Sequence, residues 1–169
     1  MSESPWTKND IRANLTSIII LVILAIIMII IKSWIMLVIY CVFWILYITL
    51  GRYVSCRHCD FLGKPCPSWN MGIIGAKLFK RSNKKNIFER GGFWKMLLFD
   101  ISFLALANLM PIYLYIYLLF IQGLTIIDWG LLIFYSLMVV ITLAIHQKTG
   151  CNKCPTELCP LSRSRKKKK

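Results

Sequence analysis

The sequence predicts an all-α membrane protein. Four transmembrane helices pair as two helical hairpins, with a cytosolic amphipathic, cysteine-containing connector between them and a cysteine-containing C-terminal tail. Three observations predict it. Hydrophobic residues make up 57% of the 169-residue chain and charged residues 17%, more apolar surface than a soluble core can hide, so lipid must cover some of it. The apolar residues gather into four long runs. Most of the charge lies before, between and after those runs, and three quarters of it is positive, with 21 Lys and Arg against 7 Asp and Glu. At this length the chain reads as one integral membrane domain over residues 1–169.

The first run is 15–31, and the second, after Lys32, Ser33 and Trp34, is 35–50. As one straight helix, 15–50 would extend roughly 54 Å at ~1.5 Å per residue, nearly twice the ~30 Å hydrocarbon core. The pair therefore reads as a hairpin turning at Lys32-Ser33-Trp34. The competing reading is one span followed by a helix lying in the membrane plane. The third run is 97–121 and the fourth 126–145, with Gly123 and Asp128-Trp129-Gly130 supplying the turn. Pro111 is expected to kink the third helix, which membrane helices tolerate. The first run is too long for a signal-peptide core, and no small-residue cleavage site follows it.

Charge sets the expected orientation. The connector carries Arg52, Arg57, Lys64, Lys77, Lys80, Arg81, Lys84, Lys85, Arg90 and Lys95, and the tail ends in "SRSRKKKK". The two opposite turns hold only Lys32. Positive residues are retained on the cytoplasmic side, so both termini and the cysteine segments 51–96 and 146–169 are placed in the cytosol, with the plasma membrane the expected home. The formal charge of +14 is assigned to anionic lipid headgroups and not to nucleic acid, because no base-reading motif accompanies it. The terminal lysines also resemble a dilysine endoplasmic-reticulum retrieval signal. The "NLT" at Asn14 matches a glycosylation acceptor, discounted because the topology places it in the cytosol.

Six of the seven cysteines fall into two trios. Cys56, Cys59 and Cys66 follow the first pair of runs as C-x2-C-x6-C-P, and Cys151, Cys154 and Cys159 follow the second as C-x2-C-x4-C-P. Cys41, alone in the second run, reads as a small buried apolar side chain. Thiols in a reducing compartment at such spacing are more often metal ligands or redox groups than structural disulfides. In a C-x2-C turn two thiolates reach one ion while backbone N–H groups point at the sulfurs. His58 and His146 are weaker candidates that would give each trio a fourth ligand. The spacing of the first trio resembles half of the fungal binuclear zinc-cluster module. That family keeps both halves in one short segment, so only its ligand arithmetic carries over: six thiolates can serve two tetrahedral ions with shared sulfurs, or one closed four-thiolate site plus two spares. The expected cofactor is an iron–sulfur cluster or zinc, undecided between them. The matching outline of the two halves suggests a duplication that brings the trios together.

The expected function is a membrane protein with a cysteine metal site at the cytosolic face. It would transfer electrons to a membrane or cytosolic redox partner protein, or clamp a membrane complex structurally. The alternative is a membrane thiol–disulfide oxidoreductase using the C-x2-C pairs. The architecture looks like the quinone-linked disulfide-forming families, though those place their working cysteines on the oxidising side. A metal-ion carrier ranks last, since only Cys41, Asp100 and a few methionines offer ligands within the spans. No P-loop, dinucleotide fingerprint, nucleophile elbow or H-E-x-x-H occurs, so the reading does not extend to a reaction.

Three further features bear on the site. The stretch from Trp69 to Met96, in which apolar Met71, Ile73, Ile74, Leu78 and Phe79 alternate irregularly with Lys77, Lys80 and Arg81, reads as a short amphipathic helix in the headgroup layer followed by a turn at Gly91-Gly92. Asp100 is either wet at the cytosolic boundary or buried with a partner, and Asn108 reads as an interhelical hydrogen-bonding group. Trp34, Trp69, Trp94 and Trp129 read as interfacial anchors.

Overall fold

The structure, a computed structural model, describes residues 4–57, 59, 61–81 and 92–154. It is all-helical, with no strand among the described residues. The elements are α1 (Lys8–Lys32), α2 (Trp34–Leu46), a π-helical turn (Tyr47–Gly51), α3 (Arg52–Cys56), α4 (Met71–Leu78), α5 (Gly92–Gln122), α6 (Ile126–Thr149) and a 3-10 turn (Cys151–Lys153). Four helical stretches are long and apolar enough to cross a membrane: Lys8–Lys32, Trp34–Gly51, Leu98–Gln122 and Ile126–Lys153. They coincide with the four apolar runs, although α1 and α6 extend well past them at the cysteine-bearing end.

Caps explain the helix ends. At the start of α1 the Thr7 hydroxyl accepts from the Asp10 N–H (3.2 Å), and the Asp10 carboxylate accepts from the Thr7 N–H (2.9 Å), a reciprocal capping box. That box pulls the helix start back from the apolar run to Lys8. Ser33 then serves two helices. Its N–H donates to Ile29 O (2.8 Å), closing α1, and its side chain accepts from the Met36 N–H (3.3 Å), opening α2. This one extended residue separates α1 from α2, where the sequence suggests a three-residue turn. Beyond it, Trp44 of α2 lines an apolar cleft with Ile18 and Val22 of α1. Gly123, at φ +72, lets the chain leave α5, and Thr125 with Asp128 repeats the capping box at the start of α6.

The most extensive helix pairing is α1 against α6, and it is clasped at both ends. Asp128, from the capping box of α6, binds Lys32 at the end of α1 (2.8 Å). Asp10, from the capping box of α1, binds Lys153 just beyond α6 (2.7 Å). Each carboxylate thus satisfies its own helix N-terminus and holds the far end of the other helix. This gives Lys32, the one basic residue of the opposite turns, a structural role. Asp128→Asn removes one charge while leaving Lys32 in place. It is expected to cost about 1–3 kcal/mol, between the exposed and buried limits for an ion pair, read as a lower unfolding midpoint in a detergent titration.

Between these clasps lies a core of Leu21, Ala25, Met28, Ile29, Tyr40, Leu114, Tyr115 and Tyr135. Its buried phenols find backbone partners. The Tyr115 hydroxyl donates to Met28 O (3.2 Å), tying α5 to α1. The Tyr135 hydroxyl donates to Asn108 O (3.0 Å), in the turn where Pro111 supplies no N–H. Asn108 does link α5 to α6, then, but through its carbonyl. Its side chain donates to Leu104 O within α5 (2.7 Å). Cys41, expected to be buried, lies exposed on the outer face of α2, where lipid accepts a weakly polar thiol as readily as a core would.

Candidate functional site

The cysteine-bearing end is built on the π-helical turn. This wider turn, a form that recurs at functional sites, puts Tyr47 (fully buried) and Arg52 (7% exposed) inside the bundle. The Arg52 guanidinium lies over the Tyr47 ring (4.6 Å) and near the Trp69 ring (5.2 Å), and it pairs with Asp100 Oδ2 of α5 (3.3 Å). Asp100 is therefore partly buried and paired, closer to the second of its two expected states. Trp69, expected as an interfacial anchor, instead packs between Trp44 and Tyr47 at centroid distances of 5.9 and 5.5 Å. Trp34 and Trp129 are exposed as a belt requires. The indole of Trp94 lies outside the described side chains.

Cys56 ends α3, one helical turn after Arg52. Backbone hydrogen bonds then shape the first trio. The Cys59 N–H donates to Cys56 O (3.1 Å), and the Phe61 N–H donates to Cys59 Sγ (3.5 Å). After a turn through Gly63, whose φ is +89, the chain reaches Cys66. Its Sγ accepts from the Gly72 N–H in the first turn of α4 (3.1 Å). Two glycines let α4 lie against the trio. A Cβ on Gly72 would stand 2.2 Å from Lys64 O and 2.8 Å from Phe61 O, and one on Gly75 would stand 3.3 Å from Cys56 Cβ. Along the helix Met71 is buried, while Ile74 and Leu78 are exposed.

The second segment repeats the first turn. Gly150 N–H closes α6 onto His146 O (2.8 Å), and the Cys154 N–H donates to Cys151 O (3.2 Å), the same bond that links Cys59 to Cys56. Among the predicted site residues, Cys56, Cys59, Cys66, Cys151, Cys154 and His146 are described. Cys159 and His58 lie outside the described residues.

The two segments meet at one end of the bundle, joined by the N-terminal segment. Trp6, 8% exposed, donates its indole N–H to Gly150 O (3.1 Å) and sets its ring edge-on to Phe61 (4.8 Å). The Ser4 hydroxyl donates to Pro65 O (3.2 Å). Gly150 also packs on Pro67, which a Cβ there would approach to 3.3 Å. Trp6 is not singled out by the sequence, and neither is the contact of Asn14 with His146 and Thr149, although the sequence names Asn14 and His146 separately. The only trace of Trp6 in the sequence is its place ahead of a capping box.

Burial pushes the Cys56 thiol up to about 12, with the Arg52 guanidinium pulling the other way and the neighbouring Cys66 and Cys59 adding to the rise. Burial also raises Cys66, opposed first by the Gly72 N–H and then by Arg52. Exchange chemistry needs a lowered thiol pKa, and buried, protonated thiols are poor nucleophiles. A soft cation that replaces the protons compensates the sulfur charge directly. Among the described residues no three His, Cys, Asp or Glu side chains stand grouped to hold an ion. No protein-family model, no curated protein and no solved structure matches the chain.

Proposed function

We propose that this chain is an integral membrane protein whose two cysteine segments hold zinc or an iron–sulfur cluster at the cytosolic face of two helical hairpins. The carrying observation is the pair of matched C-x2-C turns at one end of the bundle, the first with backbone N–H groups directed at Cys59 and Cys66 Sγ. Such N–H groups orient and stabilise thiolate ligands. The ligands in this reading are Cys56, Cys59, Cys66, Cys151, Cys154 and Cys159, with His58 and His146 as weaker candidates. Bound zinc would clamp the hairpins together, and a bound cluster would carry electrons to a redox partner protein. The positive connector and tail support a cytosolic placement and favour a membrane surface rich in anionic lipid.

The test is elemental analysis with an absorption spectrum on anaerobically purified protein. Wild type is expected to carry stoichiometric zinc without colour, or iron and sulfide with visible absorption. Cys56→Ser with Cys151→Ser is expected to lose most of either. Because burial holds the Cys56 thiol protonated at neutral pH, binding releases protons, and affinity should tighten about tenfold per pH unit for each proton displaced. Unchanged metal content in the double variant overturns the assignment. So does a mixed disulfide with a partner trapped in stoichiometric yield, which moves the function to thiol exchange.

A further inference from the structure

The apolar cleft between α1 and α2 lies toward the cysteine-bearing end and has a volume of about 230 Å3. Its lining runs from buried Met71 to half-exposed Ile19 and Ile23 of α1, so it opens on the side of the bundle, where the spans face lipid. Among the described residues no polar atom lines it. An empty cleft forfeits dispersion contacts along its walls, and in a bilayer hydrocarbon fills it. The volume falls below the ~300–1,000 Å3 of a drug-sized ligand site, which suits a length of one acyl chain better than a ring system. One wall is held in place from behind. Trp69 sits at φ +53, packs on Trp44 with 5.9 Å between centroids, and has the Arg52 guanidinium 5.2 Å from its ring. A preformed wall receives a chain at little ordering cost.

Hydrocarbon does not distinguish one lipid from another, but the face of α1 that leads to the cleft does. Seven residues are close to two helical turns, so Arg12 shares a face with Ile19 and lies roughly 10 Å nearer the helix start at ~1.5 Å per residue. Lys8 stands one turn beyond Arg12, and Thr16 lies between Arg12 and Ile19. Lys8, Arg12 and Thr16 are all exposed. The described carboxylates are committed elsewhere, Asp10 to Lys153, Asp100 to Arg52 and Asp128 to Lys32. Two cations and a hydroxyl therefore stand in line with the cleft, at the depth a phosphate takes when its chain lies in the groove. Cations so placed attract anionic headgroups.

We infer that the cleft between α1 and α2 binds one acyl chain of an anionic phospholipid whose phosphate is held by Lys8 and Arg12. The inference goes beyond the metal reading and does not depend on it. It gives part of the positive excess a specific task. The C-terminal lysines attract an anionic surface at large, whereas Lys8 and Arg12 select a lipid at one place.

The test uses the full chain in phosphatidylcholine vesicles with a trace of phosphatidylglycerol whose acyl chain carries a diazirine. Phosphatidylcholine with the same labelled chain is the comparison, and peptide mass spectrometry maps the adducts. In wild type, adducts at Ile19, Ile23 and Ile48 are expected to favour phosphatidylglycerol by at least about fivefold, the worth of one cation near an anionic headgroup. Val140 and Leu143 of α6, exposed and placed level with Ile23 and Ile19 by the Asn14–Thr149 and Asp10–Lys153 contacts, should show no such preference. Arg12→Gln should lower the preference about fivefold. Val22→Trp, which fills the cleft, should abolish its labelling by both lipids with the circular dichroism unchanged. Arg12 is at the surface, so its variant decides the matter even where Val22→Trp does not fold. Equal labelling of the cleft by the two lipids overturns the inference, as does a preference that survives Arg12→Gln. An equal preference at Val140 and Leu143 also overturns it, since the charge of the whole chain then gathers the lipid. A cleft that takes no label, because a second copy of the chain or a neutral isoprenoid covers it, overturns it as well.

Discussion

Gly72→Ala is expected to break the first cysteine segment while leaving the membrane helices in place. The added methyl would stand 2.2 Å from Lys64 O and 2.8 Å from Phe61 O, and both are backbone atoms that cannot swing aside as a side chain would. The turn they belong to is also tied to α4 by the Gly63 N–H on Gly72 O (2.9 Å). The helix must therefore move away from the loop, and the Gly72 N–H leaves Cys66 Sγ with it. Overpacking of this kind costs about 1–3 kcal/mol, and contact with backbone puts the expected value at the upper end. The measurement is the rate of Cys66 alkylation by a maleimide, expected to rise at least tenfold with the helical circular dichroism unchanged. Gly130→Ala supplies the contrast. Nothing lies within 4 Å of a Cβ there, so alanine should be neutral or add up to about 1 kcal/mol through helix propensity. Equal effects at Gly72 and Gly130 would sink the steric argument.

The outline of the fold was readable because lipid imposes its length scale on the sequence. Four apolar runs bounded by Ser33, Gly123 and basic segments correspond to four helices long and apolar enough to cross a membrane. What escaped were contacts between groups far apart in sequence. Asp100 looked ambiguous since its partner, Arg52, sits on another helix and turns inward only because of the π-helical turn, for which the run "YITLG" carries no signal. Trp69 looked like an interfacial anchor since nothing local announces that consecutive residues Trp69 and Asn70 adopt positive φ, at 53 and 61, and turn the indole onto Trp44 and Tyr47. Cys41 was read as buried because thiols usually are, but in a bilayer the outside of a helix is as apolar as its inside. The cysteine spacings, in contrast, were legible at once, and the matching backbone bonds of the two C-x2-C turns have the form such spacings favour. Gly72 and Gly75 were visible letters without visible reasons, since their close approaches come from the loop folded against them.

Trp6→Ala is the second large effect expected, and it probes how the two cysteine segments are held together. Trp6 belongs to neither segment, yet it touches both, through Phe61 on one side and Gly150 on the other. Replacing a buried Trp by Ala costs about 3–5 kcal/mol where the site cannot collapse. Here the loss falls on the docking of residues 4–7, because Asp10–Lys153 and the α1–α6 packing remain to hold the helices. The metal-free variant should show faster proteolysis ahead of Thr7 and weaker bis-maleimide cross-linking between the cysteine segments, with the transmembrane helices protected as before. Trp6→Phe separates the two contributions. It keeps most of the ring packing and loses only the bond to Gly150 O, for about 1–3 kcal/mol if that carbonyl stays dry. Zinc then becomes informative. If both segments ligate the same ion, its binding restores cross-linking in Trp6→Ala, since the metal supplies the link that the indole gave up. If cross-linking stays weak at saturating zinc, the segments bind separately, and the indole alone joins them.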